Sequence, residues 1–232
     1  MAKRKSDNPE IVEVQEVQNV KKPSVPIWES NPQLVTYVLG GIALLVAGWL
    51  LYKKLIVAPK EKEAVAAMWQ AELLFGRDSF QMALENPGGG FEGFASLADQ
   101  YSGTKAGNAC NYYAAICNLQ MGNFDEAINY MNNYDGSGEV LPAIKYGVLG
   151  DCYSEKQDFA KAIDFYGKAA DAAKIDLVAI YYLKKLGMLN EHEGNKDAAM
   201  KAYERIKRDF PNQQLNDWRD VEKYMYRANP EL

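Results

Sequence analysis

Residues 157–163 read Gln157-Asp158-Phe159-Ala160-Lys161-Ala162-Ile163, and the same turn recurs twice in the chain. Upstream it is Gly122-Asn123-Phe124-Asp125-Glu126-Ala127-Ile128, and downstream Gly194-Asn195-Lys196-Asp197-Ala198-Ala199-Met200. The aligned alanines, Ala127, Ala162 and Ala199, lie 35 and 37 residues apart. A period of this length marks a repeated unit that buries its apolar face only by stacking on its neighbours. Other residues fall in register with it. Leu149-Gly150 and Tyr153 precede the second turn, and Tyr166 and Ala169 follow it. Leu186-Gly187 precedes the third, with Tyr203 and Pro211 after it. The first copy departs from the pattern, with Ala114-Ala115 for Leu-Gly and Asn118 for the tyrosine.

Each mark has a physical reason. A glycine or alanine ahead of the turn lets the first helix of a unit (helix A) approach the second (helix B). The small alanine after the turn sits where the pair crosses, and Gly-Asn or Gln-Asp ends one helix and caps the next. Cys117 and Cys152 share one slot, two residues after Ala115 and Gly150, which wants a small apolar side chain. These marks at this period are those of tetratricopeptide repeats. The expectation is an all-α solenoid over residues 58–232, with repeats at about 108–141, 143–176 and 180–212. An irregular first helical pair, 60–105, precedes them. Its first helix, 60–84, carries Ala64, Ala67, Met68, Ala71, Leu74 and Phe75 at helical spacing; Asn86-Pro87-Gly88-Gly89-Gly90 breaks the chain, and a second helix follows over 91–101. The glycine run is a connector, since no Gly-Lys-Ser/Thr follows it to hold a phosphate. A capping helix over 213–227, with Trp218, Val221 and Tyr224 or Met225 inward, covers the last repeat.

Working towards the N-terminus, residues 34–52 (LVTYVLGGIALLVAGWLLY) run without a charge until Lys53 and Lys54. As a helix the stretch covers about 28 Å, close to the hydrocarbon thickness of a bilayer. Tyr37, Trp49 and Tyr52 suit the headgroup belts, and the lysines can snorkel. The expectation is a transmembrane anchor over 34–57, in contact with lipid through 34–52. Residues 1–33 read as a disordered polar tail, in which Ile11 to Val20 alternates enough to add as a strand to a partner's sheet.

A net charge of −5 without a clustered basic face gives no footprint for nucleic acid. The single histidine, His192, rules out sites built from several imidazoles, and three cysteines make no disulfide framework. No nucleophile accompanies His192, and the acidic pairs such as Asp125-Glu126 are helix starts. No catalytic, cofactor or metal site is expected, and the chain reads as a non-enzyme. What a repeat stack offers is a concave surface lined by its A helices. Candidate protein- or peptide-binding residues there are Tyr112, Tyr113, Ile116 and Leu119, then Val148, Asp151 and Glu155, then Tyr181, Lys184, Lys185 and Met188, ending at His192. The aromatic first group suits extended polypeptide; the alternative is that several of these side chains pack against neighbouring helices.

An N-terminal anchor, a long alanine-rich helix and degenerate tetratricopeptide pairs, in that order, resemble the YfgM family. The likeness is carried by Gly48-Trp49, by residues 64–75, and by residues 91–115 (FEGFASLADQYSGTKAGNACNYYAA). The resemblance implies a bacterial inner-membrane, single-pass protein with a cytoplasmic N-terminus and periplasmic repeats. It further implies an ancillary subunit of the SecYEG translocon that meets a membrane-anchored chaperone of the peptidyl-prolyl isomerase type and assists exported polypeptides. The chain departs from the family in its longer tail and better-formed second repeat. Lysines near the span point the other way: Lys21 and Lys22 precede it, while Lys53, Lys54, Lys60 and Lys62 follow it. Taken alone, that count leaves the repeats in the cytoplasm. A structural scaffold of another envelope assembly, for division, secretion or motility, is built from the same parts.

Overall fold

The computed structural model describes residues 32–211 and 216–229. Of the tail expected over 1–33, residues 1–31 with the candidate strand lie outside these residues, as does the start of the expected cap, while Pro32 and Gln33 already belong to the first helix. The chain divides into two compact units, Met1–Leu51 and Tyr52–Leu232. In the first, helix α1 (Pro32–Tyr52) leaves its large apolar side chains exposed, Leu44 and Leu45 at 76% each. The helical run Gln33–Phe75 contains one window long and apolar enough to cross a membrane, and none of that window is buried.

The second unit opens on a π-helical turn, Lys53–Val57, and continues as α2 (Ala58–Phe75). The amide of Ala58 bonds to the carbonyl of Lys53, five residues back. Pro59, just beyond, has no amide to give and its ring crowds the preceding turn; a widened turn accommodates it. The helix does not run on to residue 84 as its periodicity predicts. It stops at Phe75, the chain turns through Asp78 at φ 57°, and α3 (Phe80–Leu84) and α4 (Phe94–Gln100) follow. The stop places Phe75 edge-on to both Phe80 and Phe94, which a straight helix would carry past them.

Three helical pairs then stack. They are α5 (Lys105–Gln120) with α6 (Phe124–Asn133), α7 (Leu141–Glu155) with α8 (Phe159–Ala172), and α9 (Asp176–His192) with α10 (Lys196–Asp209). Helix α11 (Asn216–Ala228) closes the end, with Val221 fully buried and Trp218, Tyr224 and Met225 packed on the same cluster. The described residues are helical with no strand, as the repeats require.

Each A helix ends in the same way. Gly122, Gln157 and Gly194 take left-handed φ of 80°, 61° and 77°, reversing the chain into helix B. At the positions before the turn, the amide of Asn123 reaches the carbonyl of Asn118, that of Asp158 the carbonyl of Tyr153, and that of Asn195 the carbonyl of Asn190, at 2.8–2.9 Å. Asn118 and Asn190 are buried, and each side chain donates to the carbonyl four residues back. The slot that holds Tyr153 in the second repeat is therefore an asparagine slot in the other two. Gln157 carries a Cβ where its counterparts are glycines, and left-handed backbone is costly for such a residue. Gln157→Gly is expected to raise the unfolding free energy by about 0.5–1 kcal/mol, read from the urea midpoint at unchanged slope.

The crossing of A on B is set by the glycines. A Cβ on Gly150 would lie 2.6 Å from the Tyr166 ring, and one on Gly187 would lie 2.3 Å from that of Tyr203. In the first repeat the equivalent pair is Ala115 with Met131, both fully buried: a larger small residue against a slimmer partner. The stacked pairs share tyrosines at their seams. Tyr130 packs on both the first and second clusters, and Tyr146 and Tyr153 on both the second and third, so one core runs the length of the stack.

The first pair is tied to the repeats by polar contacts as well. Glu61 on α2 accepts the amides of Lys105 (2.6 Å) and Ala106 (2.9 Å), and Thr104 accepts that of Gly107 (2.9 Å). Three of the orphan donors at the start of α5 are thus satisfied, two of them by a carboxylate placed at the positive end of the helix dipole.

Candidate functional site

Three adjoining hollows follow one another along the C-terminal ends of the A helices. The first, about 440 Å³, is lined by Leu119, Gln120, Phe124, Asp151, Ser154, Glu155, Tyr166 and Lys185. The second, about 330 Å³, shares Ser154, Tyr166 and Lys185 with it and adds Phe159, Met188, Leu189 and His192. The third, about 380 Å³, shares Met188 and His192 with the second and adds Glu191, Lys196 and Arg227. Shared walls join them into one groove that begins on the first repeat and ends at the cap.

A polar clasp forms the wall common to the first two hollows. Asp151 Oδ1 accepts from Tyr166 Oη (2.7 Å) and from Lys185 Nζ (2.6 Å), linking helix A and helix B of one repeat to helix A of the next. The Lys185 ammonium also lies 5.3 Å from the ring centres of both Tyr166 and Tyr181. Burial opposes its charge, but the Asp151 contact outweighs this and its pKa stands above the ordinary lysine value. Burial and the Asp151 charge together push the Tyr166 phenol up, so it remains a donor at any physiological pH. A second clasp repeats the chemistry one step on, where Glu191 accepts from Tyr203 Oη (3.1 Å) and pairs with Arg227 on the cap. His192 stands edge-on to Phe159 with centroids 5.0 Å apart.

The sequence-derived candidates divide between this groove and other places. Leu119, Asp151, Glu155, Lys185 and Met188 line the groove, with His192. Tyr112 and Tyr113 instead line a separate hollow of about 710 Å³ near the other end of α5, with Asn108, Asn111, Tyr134 and Asp135. Asn108 is committed there to structure: its amide nitrogen donates to the Asp135 carbonyl and its oxygen accepts the Asp135 amide. Tyr113 stacks on Phe94 at 4.8 Å and meets Phe75 edge-on at 5.0 Å, so much of its ring belongs to the core. Val148 is buried, and Ile116 packs partly buried on the same cluster. Tyr181 is exposed beside the clasp, against Tyr182 and Lys185, and Lys184 is half-buried on the same helix.

Sequence reasoning passed over Gln120, Phe124, Ser154, Phe159 and Tyr166 as lining residues. Phe124 and Phe159 carried a signal: the same aromatic opens helix B in two copies, directly after a polar turn, where no core position calls for it. Tyr166 was visible as a repeat mark but not as a groove wall, because its hydroxyl reaches the groove only by bonding across to helix A.

The thiols stand apart from any chemistry. Cys110, Cys117 and Cys152 are buried and free, and burial pushes each pKa up to about 12. The thiolate is the reactive form. Native protein is therefore expected to leave all three unlabelled by a disulfide reagent at pH 8, and denatured protein to react at all three.

A stack of helical pairs around a continuous groove defines a helical-repeat interaction module. Tetratricopeptide-repeat family models match residues 146–176 and residues 183–212. The chain carries tetratricopeptide repeats, a fold that serves protein–protein interaction, and an N-terminal helix long and apolar enough to cross a membrane. No curated protein matches the chain.

Proposed function

We propose that this protein is a membrane-anchored accessory of the SecYEG translocon, whose repeats hold polypeptide on the outer side of the bacterial inner membrane. The observation that carries the reading is the groove, which spans all three repeats and sets apolar walls (Leu119, Phe124, Phe159, Met188) among polar ones, which include the paired Asp151 and Lys185 and the carboxylate of Glu155. Such a surface suits an extended chain of varied sequence better than one fixed small molecule, for which a concave and more enclosed pocket is the usual host. The order of anchor, alanine-rich helix and repeats, similar to that of the YfgM family, supports the translocon and its membrane-anchored peptidyl-prolyl isomerase-like chaperone as partners. The same resemblance supports a cytoplasmic N-terminus and periplasmic repeats, against the lysine count.

One observation favours the scaffold reading. Val65, Trp69 and Leu73 form an exposed apolar line along α2, and Trp69 meets Phe91 edge-on at 5.4 Å. A fixed subunit of an envelope complex would cover such a line. Affinity purification in mild detergent separates the readings. Translocon subunits as principal partners are expected; division or motility components in their place would favour the scaffold. Protease treatment of intact spheroplasts tests the orientation: digestion of the repeats is expected, and their protection would place them in the cytoplasm.

A further inference from the structure

The clasp at the middle of the groove indicates what part of a polypeptide is read there. Asp151 and Lys185 neutralise each other, so neither offers the net charge that would anchor a carboxylate or an ammonium group of a ligand. Each nevertheless keeps capacity for more hydrogen bonds. Both bonds to Asp151 fall on Oδ1, and Oδ2 takes none among the described residues. The Lys185 ammonium has three donors, one given to Asp151 and one turned towards the Tyr181 hydroxyl, which leaves a third. An acceptor and a donor thus stand side by side on the wall shared by two hollows, one mostly polar, where Leu119 and Phe124 stand among Gln120, Ser154 and Glu155, the other mostly apolar and walled by Phe159 and Met188. The groups of a ligand that present a donor and an acceptor together, without charge and at every residue, are its peptide units.

We propose that the Asp151–Lys185 clasp grips the main chain of an extended polypeptide, taking a peptide N–H on Asp151 Oδ2 and a peptide C=O on Lys185 Nζ, while an apolar side chain enters the hollow walled by Phe159 and Met188. This rests on the groove reading given above and names its ligand: apolar-rich, unfolded polypeptide, held without regard to terminus or charge. Hydrogen bonds to charged groups are the stronger kind, so a few such contacts give grip without sequence selection.

The test uses the full chain in detergent and fluorescein-labelled octapeptides of alternating leucine and serine, followed by fluorescence anisotropy. Three peptides are compared: one with a free C-terminus, one amidated, and one N-methylated at alternate residues. Free and amidated peptides are expected to bind within about twofold of each other, and the N-methylated peptide at least tenfold more weakly. Asp151→Asn combined with Lys185→Met should weaken the unmodified peptide at least tenfold with the helical circular dichroism retained. Loss of binding on amidation would show a carboxylate anchor and overturn the inference, as would equal binding of the N-methylated peptide. These peptide arms decide the matter even if the double variant does not fold. Failure of every peptide to bind wild-type protein would overturn the groove reading itself, and this inference with it.

Discussion

Gly187→Ala should destabilise the repeat unit by about 2 kcal/mol, and adding Tyr203→Met should recover most of that loss. The added methyl would sit 2.3 Å from Tyr203 Cε1 and 2.5 Å from Cζ, and Tyr203 is fully buried, so the ring has nowhere to go. Alanine's better helix propensity returns under about 1 kcal/mol and does not offset the clash. The recovery is expected because the protein already contains the compensated pair: Ala115 against Met131, in the same slots of the first repeat. Glu191, which loses the Tyr203 hydroxyl in the double variant, keeps Arg227 as its partner. The check is a double-mutant cycle by urea denaturation, with a coupling energy clearly different from zero. Additive effects would mean that the glycine–tyrosine crossing does not set the helix spacing.

Phe94→Ala should cost more, about 4 kcal/mol, the loss typical of emptying a fully buried aromatic site. Phe94 is 0% exposed, stacks on Tyr113 of the first repeat, and lies 6.2 Å from Phe75 of α2. Its removal opens a void between α2, α4 and α5 at once. The loss is predicted to appear as a single cooperative shift of the whole unit. An early, separate unfolding step confined to residues before Lys105 would instead show that the first helices are a loosely attached stalk.

The repeats were legible because their signals are local. A left-handed turn residue, a helix cap and a small residue at a crossing each act within a few positions, and each recurs at the repeat period. Gly122, Gln157 and Gly194 occupy one backbone conformation that the aligned turns already implied. The helix start at Lys105 was less visible, because the carboxylate that serves it comes from Glu61 on another helix. The break after Phe75 was hidden for a similar reason. Gly76-Arg77-Asp78-Ser79 contains no proline, and the apolar spacing continues through it into Phe80 and Leu84.

The groove was only half legible, for a geometric reason. Periodicity identifies the exposed stripe of an A helix but not which end of the stripe its neighbours cover. Tyr112 and Leu119 lie on one helix, yet the first lines the hollow beside Tyr134 and the second the groove beside Asp151. Val148 follows the same sequence logic as Lys185, and in the fold it lies inside the second cluster. Long-range partners decided these outcomes, and no single repeat contains them.

The claim that the repeats cradle polypeptide in this groove is tested most directly by site-specific photo-crosslinking in living cells. A photoreactive residue would replace Met188, which is 43% exposed in the groove, and in a parallel strain Lys201, an exposed position on α10 outside all three hollows. Crosslinks from position 188 to translocon subunits or to exported chains, and none from position 201, are the expected result. Equal crosslinking from both positions, or none from position 188 in cells that are actively exporting protein, would contradict it.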